Sequence, residues 1–181
     1  MKGVVFTELL EMVEDKFGFD VADQIVTETE LPSGGIYTAV GTYEFSELVT
    51  LVMNLSKATS ISPLDLQKAF GVHLFSRFSS MYGHFFEEVE NAFHFLQGIE
   101  NYIHVEVRKL YPDAELPSFD IYPQGEDKLV MEYSSERGMV DFAEGLIEGC
   151  LNHFEETADI QRTDVASDNS YCKFVLTRSM N

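Results

Sequence analysis

The hydrophobic periodicity of the chain changes near Pro117, and this change constrains the fold more than any other feature of the sequence. Before Pro117, apolar residues recur at the three- and four-residue spacing of amphipathic helices. After it, the short segments FDIYP and KLVMEYSS alternate apolar and polar residues on either side of a turn around Gly125. The sequence therefore predicts an α+β chain, in which a helical N-terminal half precedes a helix-backed antiparallel sheet.

The N-terminal half predicts a series of helices with recognisable ends. Gly18 is suited to the C-cap of the first helix. Ser62 and Pro63 supply an N-cap and an N1 proline for a later helix, and Gly98 should break or kink the last stretch. The predicted helices cover residues 2–17, 20–29, 43–57, 85–96 and 100–111, with a further helix that begins at Pro63.

The C-terminal half predicts four strands and one helix. Residues 119–123 and 128–135 should form a hairpin, and residues 139–154 return to helical spacing. Two further strands are expected at residues 159–164 and 171–177. We therefore expect a four-stranded antiparallel sheet with a helix packed on it.

Composition and charge exclude several classes of partner. The 181 residues, 45% of them hydrophobic, can bury the core of a single domain. A formal net charge of -19 repels phosphate backbones and anionic headgroups, so neither nucleic acid nor a membrane surface is an expected partner. No run approaches the ~20 apolar residues that span a bilayer, and the acidic opening MKGVVFTELLEMVEDKFG does not fit a signal peptide. We therefore expect a cytoplasmic protein.

His104 is the first candidate for chemistry. The five histidines are too far apart in sequence for a zinc site of the HExxH kind, so each must act alone. His104 lies in NYIHVEVRKL, on the flank of an apolar helical stripe that includes Ile103 and Val107. Such an imidazole could be an axial haem ligand through Nε2, with the other nitrogen fixed by an acceptor. The local sequence alone favours a partly buried histidine that is satisfied by a backbone carbonyl.

The segment YSSER is the second candidate. If residues 133–137 are extended, Tyr133, Ser135 and Arg137 share one face and present two hydroxyl groups and a guanidinium group. Arginine can bind a carboxylate with two hydrogen bonds, so two carboxylates of one ligand would fit this patch. The alternative is an exposed strand end that runs into a turn at Gly138.

These two elements, with their surroundings, resemble the haem nitric oxide/oxygen binding (H-NOX) family along the whole chain. Six markers carry the resemblance in the right order and spacing. They are MKGVVF at the N-terminus, AFG at residues 69–71, His104, Pro117, YxSxR at residues 133–137 and GLIEG at residues 145–149.

The resemblance implies both the architecture and the site. A distal helical lobe (residues 1–65) and a proximal lobe with the ligand helix and the sheet (residues 66–181) would enclose haem b, which is iron protoporphyrin IX. His104 would be the proximal iron ligand, and Pro117 would press on the porphyrin and distort it. The residues that would clamp the haem propionates are Tyr133, Ser135 and Arg137, and those that would line the distal side are Val5, Leu74, Phe78, Phe142 and Leu146.

The distal residues indicate which gas the resemblance implies. Oxygen on ferrous haem usually needs a distal hydrogen-bond donor, and oxygen-binding members of the family carry a tyrosine where this chain has Phe142. Leu74 offers no donor either, which leaves Tyr43 and Tyr82 as alternatives. We therefore expect nitric oxide and carbon monoxide to bind and oxygen to be excluded.

The resemblance also implies how a signal leaves the protein. Nitric oxide would weaken or break the bond from iron to His104, release its helix and let the helical lobe rotate against the sheet lobe. No segment resembles a kinase, cyclase or phosphodiesterase, so we do not expect an enzyme. By analogy with bacterial stand-alone sensors, which are related to the haem domain of soluble guanylate cyclase, the partner would be a separate histidine kinase or diguanylate cyclase.

Two other functions are open to a chain of this kind. Glu87 and Glu88 could serve an enzyme with a carboxylate mechanism, although EEVEN is more typical of a solvated helix face. A module of the same fold could instead have lost haem and bind a fatty or aromatic molecule, which the presence of both His104 and YxSxR disfavours. The four-cysteine zinc site of some relatives is missing, since Cys150 and Cys172 are the only cysteines and only Cys172 could correspond to a ligand. We expect both to be packed thiols.

Overall fold

The computed structural model describes residues 1–163 and 165–179. Within them the chain is an α+β structure, as predicted. The α-helices are α1 (Gly3–Phe17), α2 (Phe19–Thr27), α3 (Phe45–Thr59), α4 (Pro63–Met81), α5 (Ala92–Gln97), α6 (His104–Leu110) and α7 (Val140–His153). The strands are β1 (Ser118–Pro123), β2 (Lys128–Ser134), β3 (Ala158–Thr163) and β4 (Tyr171–Arg178).

The four strands form one antiparallel sheet in the order β1, β2, β4, β3. Burial alternates along β4, where Cys172, Phe174 and Leu176 are buried and their neighbours are not. Ile147 and Cys150 of α7 belong to the same apolar cluster, so α7 packs on this face of the sheet. The prediction of a helix-backed antiparallel sheet is confirmed.

The apolar interior is divided into two clusters. The N-terminal core contains side chains from α1 to α4, whereas the C-terminal core contains side chains from α5, α7 and the sheet. Helix α4 contributes to both, with Phe70 in the first and Phe75 in the second. Leu146 of α7 packs against both. The two cores therefore meet along α4 and α7.

Two glycines allow α4 and α7 to approach closely. A Cβ added at Gly71 would lie 2.3 Å from the carbonyl oxygen of Phe142, and one at Gly145 would lie 2.1 Å from the carbonyl oxygen of Lys68. No larger side chain fits between the two backbones without moving them. This contact fixes the relative position of the side chains that α4 and α7 present along their shared edge.

The prediction of one helix over residues 85–96 is wrong for its first half. A single 3₁₀ turn covers Gly83–Phe85, and α5 begins only at Ala92. The side chain of Asn91 accepts a hydrogen bond from the His94 N–H at 2.9 Å, which is the geometry of an N-cap. An N-cap residue has extended backbone angles, so a helix cannot run through Asn91.

Both cysteines are buried, as predicted. Burial raises the pKa of Cys172 to about 11 and raises the pKa of Cys150 further. Neither thiol therefore ionises at neutral pH, which agrees with packed rather than reactive cysteines.

The last residue of the predicted strand 159–164 lies outside the described residues.

Candidate functional site

His104 is the first residue of α6 and is only 8% exposed. A π-helical turn, Ile99–Ile103, leads into it. In this turn the Ile103 N–H bonds to the Gly98 carbonyl at 3.1 Å, and the His104 N–H bonds to the Ile99 carbonyl. A π turn inserts an extra residue into a helix and changes the direction of the side chains that follow, and it is frequent at functional sites. The helix predicted over residues 100–111 is thus interrupted immediately before His104.

Glu100 fixes one side of the His104 ring. Its Oε1 atom lies 3.0 Å from Nδ1 of His104 and also accepts the backbone N–H of Phe119 at 2.8 Å. Nε2 of His104 has no hydrogen-bond partner within the described part of the chain. Burial lowers the pKa of His104, against the opposing effect of the Glu100 carboxylate. The ring is therefore neutral at pH 7 and has one free donor nitrogen.

Glu100 was not singled out from the sequence. The only sequence signal was its position four residues before His104, which places both side chains on one face of a helix. The backbone donor at Phe119 is 19 residues away and could not be anticipated.

The β1–β2 hairpin places Phe119 next to both His104 and Tyr133. Phe119 of β1 lies opposite Tyr133 of β2 in the strand register. The Phe119 ring centroid is 6.2 Å from that of His104 and 5.5 Å from that of Tyr133. Tyr133 is 2% exposed, burial raises its pKa, and its hydroxyl group accepts the Met139 N–H at 3.2 Å. Pro117, two residues before Phe119, is half-buried.

Ser135 and Arg137 lie beyond the end of β2, so the prediction that they share a strand face with Tyr133 is wrong. The strand ends at Ser134 because the chain turns there: Ser135 Oγ accepts the Arg137 N–H at 3.2 Å, and Gly138 takes a positive φ of 59°. The turn nevertheless keeps the Ser135 hydroxyl near Tyr133, since it donates toward the phenol oxygen and opposes the rise of the Tyr133 pKa.

Arg137 lies at a cleft next to the N-terminus. Its guanidinium group donates to the backbone carbonyl of Glu115 at 2.7 Å, forms an ion pair with the Glu115 carboxylate, and lies 5.9 Å from the ring centroid of Phe45. The cleft has a volume of about 310 Å³. Its lining residues are Met1, Thr42, Tyr43, Glu44, Phe45, Asp113, Glu115 and Arg137. The Glu115 side chain is 80% exposed, so an incoming carboxylate can displace it from Arg137 at small cost.

The apolar candidates lie on three helices at the edge of the N-terminal core. Val5 belongs to α1, Leu74 and Phe78 to α4, and Phe142 and Leu146 to α7. Leu74 is buried, but the other four are only half-buried although they pack against the core. On the other side, Ile99, Ile103 and Phe119 are half-buried at the edge of the C-terminal core. The N-terminal core and the C-terminal core, which contains the neighbours of His104, therefore each have partly covered apolar side chains at their edges.

The two alternative tyrosine donors have other partners. The Tyr43 hydroxyl group accepts the Thr38 N–H at 2.8 Å. The Tyr82 hydroxyl group lies 3.4 Å from that of Tyr111, and burial raises its pKa to about 12. The ring of Phe142, in contrast, packs 5.2 Å from that of Phe70 and carries no donor.

These residues fit a haem better than a metal ion held by side chains alone. Among residues 1–163 and 165–179, no group of three or more histidine, cysteine, aspartate or glutamate side chains could hold a metal ion. A porphyrin supplies four of the iron ligands itself, so one neutral imidazole with a free Nε2 is sufficient. The carboxylates of a porphyrin match the Tyr133 and Arg137 side of the site. The apolar faces of the porphyrin match the partly covered apolar side chains at the edges of the two cores.

The comparisons with known proteins agree with this geometry. The Haem-NO-binding family model, HNOB, matches residues 2–162. The chain belongs to the H-NOX family. This is the fold of a haem-binding gas sensor. No curated protein matches the chain.

Solved H-NOX structures superpose on nearly the whole chain. The Fe(II) unliganded protein from K. algicida is 42% identical with a TM-score of 0.94, and the match covers 100% of this chain and 98% of that one. The Shewanella woodyi protein, solved with IWP-051 in the Fe(II)CO state, is 39% identical with a TM-score of 0.85, covering 99% and 95%. The S. oneidensis protein in the Fe(II)NO state is 27% identical with a TM-score of 0.91, covering 99% and 100%.

Two further observations concern the Glu87 and Glu88 pair and the apolar character of the helices. Glu87 and Glu88 are exposed in a turn rather than on a helix face. Within the described ranges, none of the helices is long and apolar enough to cross a membrane.

Proposed function

We propose that this H-NOX chain is a haem-based sensor that binds nitric oxide at ferrous haem b, with His104 as the proximal iron ligand. The observation that carries the proposal is the state of the His104 ring, which is buried, neutral, fixed through Nδ1 by Glu100 and free at Nε2. His73 Nε2 also has no hydrogen-bond partner among the described residues, so the feature that distinguishes His104 is the carboxylate at Nδ1 together with the free Nε2. A ring that is oriented on one side and unpartnered on the other is suited to donate to a metal.

The anionic end of the cofactor would be bound by Tyr133, Ser135 and Arg137. Tyr133 and Ser135 are already within hydrogen-bonding reach of each other, and Arg137 carries the only formal charge of the three. Arg137 would release the exposed carboxylate of Glu115 and form a charge-assisted hydrogen bond with a propionate instead. Little stability is lost, because the ion pair with Glu115 is exposed. Pro117 and the distal residues Val5, Leu74, Phe78, Phe142 and Leu146 would supply apolar contact with the ring faces.

Selectivity for nitric oxide over oxygen follows from the lack of a distal donor. Phe142 and Leu74 are apolar, the Tyr43 oxygen lies against the Thr38 backbone, and the Tyr82 hydroxyl group lies against that of Tyr111. Nitric oxide and carbon monoxide bind ferrous haem without a hydrogen-bond donor, whereas a stable oxygen complex usually requires one. The related S. oneidensis and Shewanella woodyi proteins were solved with these two gases.

The output would begin at His104. Release of the His104 ring would free α6 and the π-helical turn before it to move together. Because the two cores meet along α4 and α7, such a movement would change their relative orientation and the surface that a partner contacts. The partner would be a separate histidine kinase or diguanylate cyclase, and the chain itself would not be an enzyme.

The absorption spectrum of the purified, reduced protein tests this proposal. We expect a Soret band that stays unligated in air and shifts with nitric oxide. His104→Gly should lose that spectrum and regain it when imidazole is added, because free imidazole can occupy the vacated position. His94→Gly is the matched control, since His94 is an exposed histidine of the neighbouring helix and should behave as wild type.

A colourless protein that stays colourless when haem is added would refute the proposal and favour the alternative of a non-haem binding module. A His104→Gly variant whose spectrum matches wild type would refute the assignment of the ligand.

A further inference from the structure

Glu100 is the residue of the site whose role is not explained by cofactor binding. One carboxylate oxygen, Oε1, holds two donors that belong to different parts of the fold: Nδ1 of His104 on α6 and the backbone N–H of Phe119 on β1. No lysine or arginine forms an ion pair with Glu100 among the described residues. The carboxylate of Glu100 therefore faces the imidazole without a directly paired cation, and the more distant Arg108 acts on the ring only electrostatically.

We propose that Glu100 is a positioning residue that sets the strength of the bond between His104 and iron and couples this bond to strand β1. This inference rests on the proposed function. A carboxylate that accepts the Nδ1 proton draws it away from the ring, which leaves more electron density on Nε2 and makes His104 a stronger donor. The ease with which nitric oxide would release His104 from iron then depends on the strength of the hydrogen bond between Glu100 and Nδ1.

The π-helical turn makes this arrangement possible. Glu100 lies in Ile99–Ile103, and the irregular turn brings its carboxylate within reach of both His104 and the first residues of β1. If the ring moves away from iron, either the contact with His104 or the contact with Phe119 must break, since one oxygen serves both. Release of the ligand is thereby transmitted to the edge strand of the sheet, next to Tyr133.

One substitution at Glu100, with a control at Glu106, separates the charge of Glu100 from its shape. Glu100→Gln keeps the length and an acceptor oxygen but removes the charge. Glu106→Gln is the matched control, because Glu106 lies on α6, is about as exposed as Glu100 and pairs only with Lys109. Loss of an outer partner of a metal-bound histidine typically weakens binding by about 10- to 100-fold.

The measurements are made on the haem-loaded protein. For Glu100→Gln we expect a lower iron–histidine stretching frequency in the resonance Raman spectrum of the ferrous state and a higher midpoint potential. The sign of the potential change follows because the lost negative charge favoured ferric over ferrous iron. A tenfold change in that equilibrium corresponds to about 59 mV for a one-electron couple. Glu106→Gln should match wild type in both measurements.

A measurement on wild type keeps the test decisive if Glu100→Gln does not fold or retain haem. In the diamagnetic carbon monoxide complex, the Nδ1 proton of His104 should give a slowly exchanging NMR signal, and the Phe119 amide should be protected from hydrogen exchange. Rapid exchange of both protons would overturn the inference.

Equal stretching frequency and potential in Glu100→Gln and wild type would also overturn it. The proposed function would still stand in that case, provided that wild type responds to nitric oxide through His104. A wild-type protein without bound haem would instead refute the proposed function itself.

Discussion

The contact between α4 and α7 predicts that a single methyl group at Gly145 destabilises the protein. The added Cβ would lie 2.1 Å from the Lys68 carbonyl oxygen, so the two backbones must separate by roughly 1 Å to reach van der Waals distance. Overpacking costs about 1 to 3 kcal/mol, and a rigid backbone atom as the neighbour places Gly145→Ala at the upper end. Alanine returns about 1 kcal/mol through its greater helix propensity. The expected net loss is about 2 kcal/mol in the free energy of unfolding.

For a chain of this size such a loss lowers the melting temperature by about 4 to 8 °C. The assay is calorimetric or circular dichroism melting of the haem-loaded protein. Gly83→Ala is the control, because nothing lies within 4 Å of a Cβ at that position, and it should melt within about 2 °C of wild type. If Gly145→Ala melts at or above the wild-type temperature, the close contact between α4 and α7 is not as described.

Three other predictions concern single side chains. Phe142→Tyr should create a distal donor and tighten oxygen binding by about 10- to 100-fold, as expected for a hydrogen bond to a charged group; an absorption titration in air that shows no oxygen complex would contradict it. Tyr133→Phe should leave the buried Met139 N–H without its partner and cost about 1 to 3 kcal/mol in denaturant unfolding, so an unchanged midpoint would count against the site geometry. Burial lowers the pKa of His73 below its ordinary value of 6.5, while Glu8, 3.7 Å away, opposes the shift. The unfolded chain therefore binds a proton there that the folded chain does not, and the free energy of unfolding should decrease as the pH falls below about 6.5. His73→Gln should remove that part of the pH dependence, and equal slopes in variant and wild type would show the reasoning to be wrong.

The periodicity of the sequence was sufficient for the fold class because helices and strands bury one face at different spacings. The four strands and helix α7 were predicted within one or two residues of their observed ends. The stretch at residues 85–96 failed because its apolar residues mimic helical spacing across an N-cap at Asn91. The N-cap at Asn91 starts the helix at that point, although the apolar spacing extends to both sides of it.

The candidate site could be found in part. His104 and the residues of YxSxR stay predictions that rest on the family resemblance, and the hairpin register sets Phe119, a neighbour of the His104 ring, opposite Tyr133. The expectation that Ser135 and Arg137 continue a strand failed because the Ser135 side chain caps a turn. Glu100 could not be assigned from sequence, since its second partner is a backbone amide on a distant strand.

A crystal structure of the ferrous, haem-loaded protein would show whether His104 is the iron ligand. We predict continuous electron density from Nε2 of His104 to the iron, with the propionates against Tyr133, Ser135 and Arg137. Density that joins the iron to any other side chain, or a His104 ring turned away from the metal, would contradict it.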